Sequence, residues 1–405
     1  MNPTPPLSKT HSYNTYKKKH TPIITSKAKQ KMSGGKKKNM VVWLYKVITI
    51  TVTVASVALT LTEAQKEADF KCSSEIATCR SLTDYKSPNV TTLKEIETLF
   101  GVKHFLDLLG ANNFPSNTKD NFKVEADQVV KVPFPCKCGN GTGTSNQIPR
   151  YKVKPGDTLD GIARNRFAGL VKYQQIQTAN KIPDANNITA GETLWIPLPC
   201  SCDKVDGSSV IHYAHIVEAD STIQAIAQQY GTNQQTLLKI NGIDDPKSLQ
   251  AGQLLDVPLP VCNSSVTSDS LDFPLLVPNA TYVYTANECV QCKCDSTSNN
   301  NFMLQCEPSE LKPINRWSVC PTMECSKNVL IGNTTTTSTD SCNSTICDYG
   351  GYNSRNISMV NATQNTCAVA PSGSDSGATG SSLSGSVWNK LLILIHFLLF
   401  FVYLL

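Results

Sequence analysis

Apolar positions change period twice between residues 150 and 198. Tyr151 and Val153 alternate with Lys152 and Lys154, the pattern of a half-buried strand. Pro155-Gly156 supplies turn chemistry, and Asp157 or Thr158 can cap a helix that begins at Leu159. Leu159, Ile162, Ala163 and Phe167 fall on one helical face, and Leu170, Tyr173 and Ile176 supply a second apolar face ending near Asn180. A polar loop then leads to Leu194-Trp195-Ile196-Pro197, a short strand closed by prolines. The predicted order is strand, helix, helix, strand.

The same pattern recurs along the chain. Thr158-Leu159-Asp160-Gly161-Ile162-Ala163 aligns with Thr222-Ile223-Gln224-Ala225-Ile226-Ala227, and ANKIPDANNITAGETLWIPLPC (179–200) with INGIDDPKSLQAGQLLDVPLPVC (240–262). A degenerate copy precedes them: Thr92-Leu93-Lys94-Glu95-Ile96 matches the helix start, Ala111 to Pro115 matches Ala179 to Pro183, and KVPFPC (131–136) matches WIPLPC (195–200). Its first strand is barely recognisable. The expectation is an α+β fold of βααβ units packed together: repeat 1 within 65–135, repeat 2 over 150–198 and repeat 3 over 212–260.

Units this small have a marginal core. Cys136/Cys138 and Cys200/Cys202 between the units, with Cys72 and Cys79 before them, offer staples. The remaining cysteines, Cys262 to Cys367, predict a small disulfide-stapled Cys-rich region over 263–367; spacing alone does not choose the partners, since six cysteines already allow fifteen connectivities.

The two ends set the compartment. Residues 1–40 hold ten Lys and no acidic residue, and Val41 to Leu61 is almost wholly apolar, so 1–64 reads as a secretory signal with a long basic start. A spanning signal anchor is the alternative, and Met32 or Met40 would give more ordinary starts. At the other end, 368–390 is a Ser/Gly linker and 391–405 an apolar tail, shorter than the roughly 20 residues that span a bilayer. The cluster SDSGATGSSLSGS upstream resembles a GPI-attachment signal with its ω site near Ser376, a short spanning helix being the alternative.

The formal charge of +5 is concentrated at these ends: +10 in residues 1–64 and +1 at Lys390, leaving −6 for 65–376 and no overall basic character that would suit nucleic acid. An even sixteen cysteines in a secreted chain predict disulfides and no metal, the run CVQCKC (289–294) included. Sequons at Asn89, Asn140, Asn187, Asn263, Asn279, Asn333, Asn343, Asn356 and Asn361 agree with that compartment.

The GDTL turn, the Ile-Ala helix start, the Asn before the second loop and the closing IPLPC resemble LysM repeats. Three such repeats separated by Cys-x-Cys pairs, between a signal peptide and a GPI signal, resemble the plant LysM GPI-anchored proteins. YKVKPGDTLDGIARNRF, IPDANNITAGETLWIPLPCSCD and HYAHIVEAD are similar to their chitin elicitor-binding subgroup. The resemblance covers roughly 70–370 and implies bridges Cys72–Cys138, Cys79–Cys202 and Cys136–Cys200.

It also implies a sugar groove between two loops of repeat 2. Gly156, Asp157, Thr158 and Leu159 stand on one side and Asn180, Lys181, Ile182 and Pro183 on the other, with Lys154, Pro155, Asp160, Thr178 and Asp184 completing the loops. Ile182 is read either as a contact for an acetamide methyl or as a lid on the small core, and Asn180 as holding loop backbone through its amide.

Glycoside hydrolysis needs paired carboxyls, one with a raised pKa. Asp157, Asp160, Asp184 and Glu192 lack apolar framing, and no such carboxylate is expected in 263–367, so no catalytic residue is assigned. His212 and His215 form H-x-x-H, but positions i and i+3 of a strand face opposite ways, which leaves them surface or packing roles. A neutral N-acetylglucosamine chain suits a groove of backbone polar groups and aliphatic side chains, with no cofactor.

The expected function is a non-catalytic cell-surface receptor for chitin oligosaccharides in plant innate recognition of fungi. The resemblance implies a LysM receptor-like kinase as signalling partner and a ligand-bridged homodimer. The alternatives are a peptidoglycan or lipochitooligosaccharide receptor, a wall hydrolase or a structural wall protein. In repeat 3, PGDTL becomes ADSTI; loss of the glycine is expected to change the turn, leaving repeat 2 with most of the affinity.

Overall fold

The computed structural model describes residues 70–73, 78–296, 302–315, 317–326, 328–336 and 343–365. The signal segment 1–64, the linker 368–390 with Ser376 and the tail 391–405 lie outside the described residues.

Repeat 1 consists of β1 (Thr78–Lys86), α1 (Leu93–Phe100), α2 (Phe105–Ala111) and β2 (Val129–Gly139), which turns back into β3 (Thr142–Ser145). Repeat 2 consists of β4 (Arg150–Lys152), α3 (Leu159–Gly161), α4 (Tyr173–Ala179) and β5 (Thr193–Trp195). Repeat 3 consists of β6 (Val210–Ile216), α5 (Ile223–Tyr230), α6 (Gln234–Ile240) and β7 (Leu254–Pro260). A threonine opens the first helix of each: Thr92, Thr158 and Thr222 accept from the N–H of Glu95, Gly161 and Ala225 at 3.2, 3.0 and 3.1 Å. Thr158 is therefore the cap, and Asp157 is not.

Repeat 2 differs in one respect. Its α3 runs into a π-helical turn over Ile162–Arg166, and the Phe167 N–H reaches five residues back to the Ile162 carbonyl at 3.1 Å. The buried Phe167 ring meets Phe100 and Tyr151 edge-on, at 5.6 and 6.0 Å between centroids.

Repeats 1 and 3 share a five-stranded sheet of order β3-β2-β1-β6-β7, while β4 and β5 form a separate pair with Tyr151 opposite Leu194. The seam is the parallel contact of β1 with β6, Leu82 opposite Tyr213 and Thr83 opposite Ala214. This explains the illegible strand of repeat 1. Ser81, Thr83 and Asp84 are buried polar residues that bond across the seam. Ser81 Oγ donates to the His212 carbonyl at 2.9 Å. Asp84 accepts from the Tyr213 hydroxyl and the Ile216 N–H and pairs with His215 Nδ1 at 2.7 Å. Lys131 lies over the Tyr213 and Tyr230 rings.

His212 and His215 are buried, and each bonds to a different carboxylate, Asp256 for His212 and Asp84 for His215. A surface role is thereby corrected for both.

One core joins repeats 1 and 2 through Leu93, Ile96, Phe100, Phe134, Leu159, Ile162, Phe167 and Leu194, and repeat 3 has its own around Ile223, Ile226, Leu237 and Val257. Bridges Cys72–Cys138, Cys79–Cys202 and Cys136–Cys200 lock the strand ends together. The Cys-rich region builds a third core on β8 (Thr281–Thr285), β9 (Val290–Cys294), β10 (Gln305–Pro308) and the hairpin β11 (Asn343–Tyr352), β12 (Ile357–Asn365). Its bridges are Cys262–Cys294, Cys289–Cys320, Cys292–Cys306 and Cys325–Cys347, while Cys342 and Cys367 lie outside the described residues.

This region docks on repeat 1. Gly110 of α2 sits so close to β8 that a Cβ would lie 2.1 Å from the Tyr282 carbonyl oxygen, and the Tyr282 hydroxyl donates to the Phe114 carbonyl at 2.6 Å. The sequon asparagines whose surroundings are described are all exposed; the Asn343 side chain is outside that set.

The His212 pair makes stability depend on pH. Burial alone would lower the imidazole pKa, but the Asp256 carboxylate at 2.9 Å and the Asp203 carbonyl outweigh it, so the folded pKa lies above the ordinary 6.5. A group raised on folding contributes stability that is complete below its unfolded pKa and lost as pH rises through the folded one. The urea midpoint should therefore fall between about pH 6 and about pH 8. His212→Gln, which can donate to Asp256 at any pH, should remove that component.

Candidate binding groove

Because β4 and β5 are antiparallel, the end of the first strand lies beside the start of the last. Val153 N–H donates to the Glu192 carbonyl and Gly191 N–H to the Val153 carbonyl, both at 2.8 Å. The segments Lys154 to Asp160 and Thr178 to Asn186 therefore leave the same end of the repeat.

The first loop is fixed from within. Asp157 accepts from the Tyr151 hydroxyl at 2.7 Å and from the Lys154 N–H at 2.8 Å, with Arg166 at 3.9 Å. Burial, and then the Asp157 contact, push the Tyr151 hydroxyl pKa up, which keeps it a donor. Gly156 takes φ +85°, and a Cβ there would meet nothing, so backbone conformation is its reason for being glycine. Lys154, Pro155 and Thr158 are exposed, and Asp160 pairs with Arg164 at 2.8 Å. Leu159 is 1% exposed, a core residue. It cannot line a groove.

The second loop hangs from Asn180. Its Nδ2 donates to the carbonyls of Ile176 and Trp195 at 2.8 and 2.7 Å, and its Oδ1 accepts from the Trp195 N–H at 2.9 Å. Asn112 makes the same bonds to Leu108 and Lys131, and Asn241 to Leu237 and Asp256. The next residue is left-handed in all: Asn113, Lys181 and Gly242 at φ 53°, 55° and 58°. Ile182 follows, half-buried against the core, its N–H on the Gln177 carbonyl at 3.0 Å. It is both a lid and a partly open aliphatic face. Thr178, Lys181, Pro183 and Asp184 are exposed, and Asp184 closes a turn by accepting from the Asn186 N–H at 3.0 Å.

Repeat 1 shows what the groove looks like when filled. Thr91 pairs with Val124 and Thr92 with Lys123, and the N–H groups of Leu93 and Lys94 donate to the carbonyls of Phe122 and Asp120 at 3.1 and 2.9 Å. One loop has zipped onto the other. Asn112 and Lys131 are 19 residues apart, whereas the corresponding pairs of repeats 2 and 3 are 15 apart, and the extra residues supply the reach. Among the described residues, no backbone bond of this kind joins the loops of repeats 2 and 3. The N–H groups of Leu159 and Asp160, the counterparts of Leu93 and Lys94, therefore have no loop carbonyl as partner; Leu159 is buried as a whole residue, whereas Asp160 is exposed. Motif reading missed these backbone donors, although the unequal spacing was a signal for them.

Repeat 3 corrects an expectation. Asp220 occupies the place of Gly156 at φ 63°, and Ser221 N–H closes on the Glu218 carbonyl at 3.3 Å as Asp157 N–H does on Lys154 at 3.1 Å. Aspartate tolerates the left-handed conformation, so the turn survives loss of the glycine.

A LysM domain model matches residues 151–197 and 215–258. "LysM domain-containing GPI-anchored protein 2" of Arabidopsis thaliana is 46% identical over 73% of this chain and 82% of its own length. "Chitin elicitor-binding protein" of Oryza sativa is 41% identical over 83% of this chain and 91% of its own. The chain belongs to the plant LysM domain-containing GPI-anchored proteins. Its location is the extracellular face of the plasma membrane. The solved ectodomain of a receptor-like kinase matches 46% of the chain and 94% of its own length at 25% identity, with a TM-score of 0.39. As a LysM protein, the chain carries a repeat outside the two matched segments, the zipped repeat 1.

One carboxylate in the Cys-rich region departs from expectation. Asp348 is buried, and burial raises its pKa, yet Ser265 Oγ and the Tyr349 N–H donate to it at 2.5 and 2.8 Å. It anchors the segment after Cys262 to β11.

Asn180→Ala removes the amide that replaces a strand neighbour for Trp195 and leaves a backbone pair unsatisfied. The expected cost is about 2–3 kcal/mol by urea denaturation, several times that of Asp184→Ala at the exposed turn.

Proposed function

We propose that this LysM protein is a non-catalytic receptor that binds chitin oligosaccharides in the groove of repeat 2. The observation that carries the reading is the contrast between repeats. In repeat 1 the loop-to-loop hydrogen bonds are made by the chain itself; in repeat 2 the counterpart donors have no loop partner, and the N–H of the exposed Asp160 would serve a ligand. An N-acetylglucosamine chain offers acetamide carbonyls to such N–H groups and a methyl to the partly open Ile182, and its neutrality asks for no charge partner.

Asp157 is committed to Tyr151 and the turn backbone, and Asp160 to Arg164, which leaves these carboxyls in structural roles. The name of the rice relative is consistent with this ligand. Signalling would pass through a LysM receptor-like kinase, and a long oligomer bridging two copies would raise affinity by multivalency.

Ile182→Lys tests the groove. The lysine stem still covers the core while its charge stands among the sugar contacts. Chitohexaose affinity measured by calorimetry should fall by roughly ten- to a hundredfold with the fold intact, while the parallel Ile243→Lys should cost little if repeat 2 dominates. Unchanged binding in Ile182→Lys, or tighter binding of muropeptides than of chitohexaose, would overturn the reading. In sedimentation, a chitin octamer should dimerise the protein and a trimer should not.

A further inference from the structure

A cleft of ≈ 570 Å³ lies between repeats 1 and 2, walled by the Pro88–Thr91 turn and α1 on one side and by the free edge of β4 on the other. Among the described residues, strand β4 pairs only with β5. Arg150 and Lys152 of β4 and Lys154 just beyond it are exposed and alternate with the buried Tyr151 and Val153, so the cations leave one face of extended chain about 6.7 Å apart, with the Arg150 guanidinium also donating to the Gln147 carbonyl and Oε1 at 3.1 and 3.0 Å.

We propose that this cleft is a second carbohydrate site, for a linear acidic polysaccharide of the polyuronate type. Among the described residues, none of these cations has a carboxylate at ion-pair distance. Of the other charges in the lining, Lys94 pairs with Glu97 at 2.8 Å and Arg166 has Asp157 at 3.9 Å, while Glu95, which accepts from the Thr91 hydroxyl and the Thr92 N–H at 2.7 and 3.1 Å, also feels the Lys154 charge. The lining thus keeps an excess of positive charge, Arg150, Lys152 and Lys154 against Glu95, on a segment, 65–376, whose net charge is −6.

The counterparts of the row are Ala214, Ile216 and Glu218 in repeat 3 and Asp84, Lys86 and Pro88 in repeat 1, so no other repeat carries it. Cations that converge suit one phosphate; cations in line suit a polymer with a carboxylate on each sugar. Pro88 and Val90, the latter 57% exposed, offer apolar atoms to sugar ring faces, and Thr91 and Asn165 offer hydrogen bonds to hydroxyls. A neutral chitin chain gains nothing from the row. Asn89, a sequon at the rim, makes an attached glycan a competitor for the site.

The test uses the full glycoprotein, with oligogalacturonate and chitohexaose titrated in parallel. Oligogalacturonate should bind and weaken with added salt. Arg150→Gln/Lys152→Gln should reduce that affinity about tenfold and leave chitohexaose affinity unchanged. Asn89→Gln should bind oligogalacturonate at least as tightly as the wild type. The proposal is overturned if the double variant binds oligogalacturonate normally, if it merely self-associates, as expected were the row only protection of a strand edge, or if the wild type binds vesicles of anionic phospholipid and not oligogalacturonate. Loss of chitohexaose binding alone would count against the groove of repeat 2 and leave this site standing.

Discussion

The repeat depends on an asparagine side chain that stands in for a strand. At the end of the second helix its amide donates to a helical carbonyl and forms a two-way pair with the backbone of the closing strand, through Asn112 and Lys131, Asn180 and Trp195, Asn241 and Asp256. A short strand that starts from a loop would otherwise leave an N–H and a carbonyl partly buried without partners, which is costly. The amide removes that cost and fixes where the second loop begins, to within the same left-handed residue in each repeat.

Once both loops are pinned, the length between them decides the surface. The longer connection in repeat 1 lets Asp120 and Phe122 fold back onto Leu93 and Lys94 and fill the space with protein. Repeat 2 has too little chain for that, and the same backbone groups have no loop partner. Position in the assembly then differentiates the repeats further. Repeats 1 and 3 give their first strands to a shared sheet and bury Asp84, His212 and His215 in it, whereas β4 of repeat 2 stays at an edge and shows a basic face. The Cys-rich region is part of the same body, seated on Gly110 through Tyr282.

The repeats were legible because their helices and closing strands are amphipathic at simple periods, as in Leu159, Ile162 and Phe167 or in IPLPC. Strand β1 was not, because Ser81, Thr83 and Asp84 are buried through hydrogen bonds to a strand about 130 residues away, and no local period encodes that. In the groove, the loops and the amide role of Asn180 could be read. Leu159 was misplaced toward the ligand because motif position does not say which way a side chain points, and the tolerance of the turn for Asp220 was underestimated because glycine there serves φ and not space.

By itself the sequence determined the number and order of the repeats, the secretory compartment, the oxidised state expected of the cysteines and the positions of the loops, all properties of local pattern or composition. Tertiary structure decided which loop donors the chain itself satisfies, which histidines are buried, how the described cysteines from Cys262 onward pair and which strand keeps an open edge. These depend on what distant segments bring to the same place, and a repeat carries no mark of which neighbour will cover it.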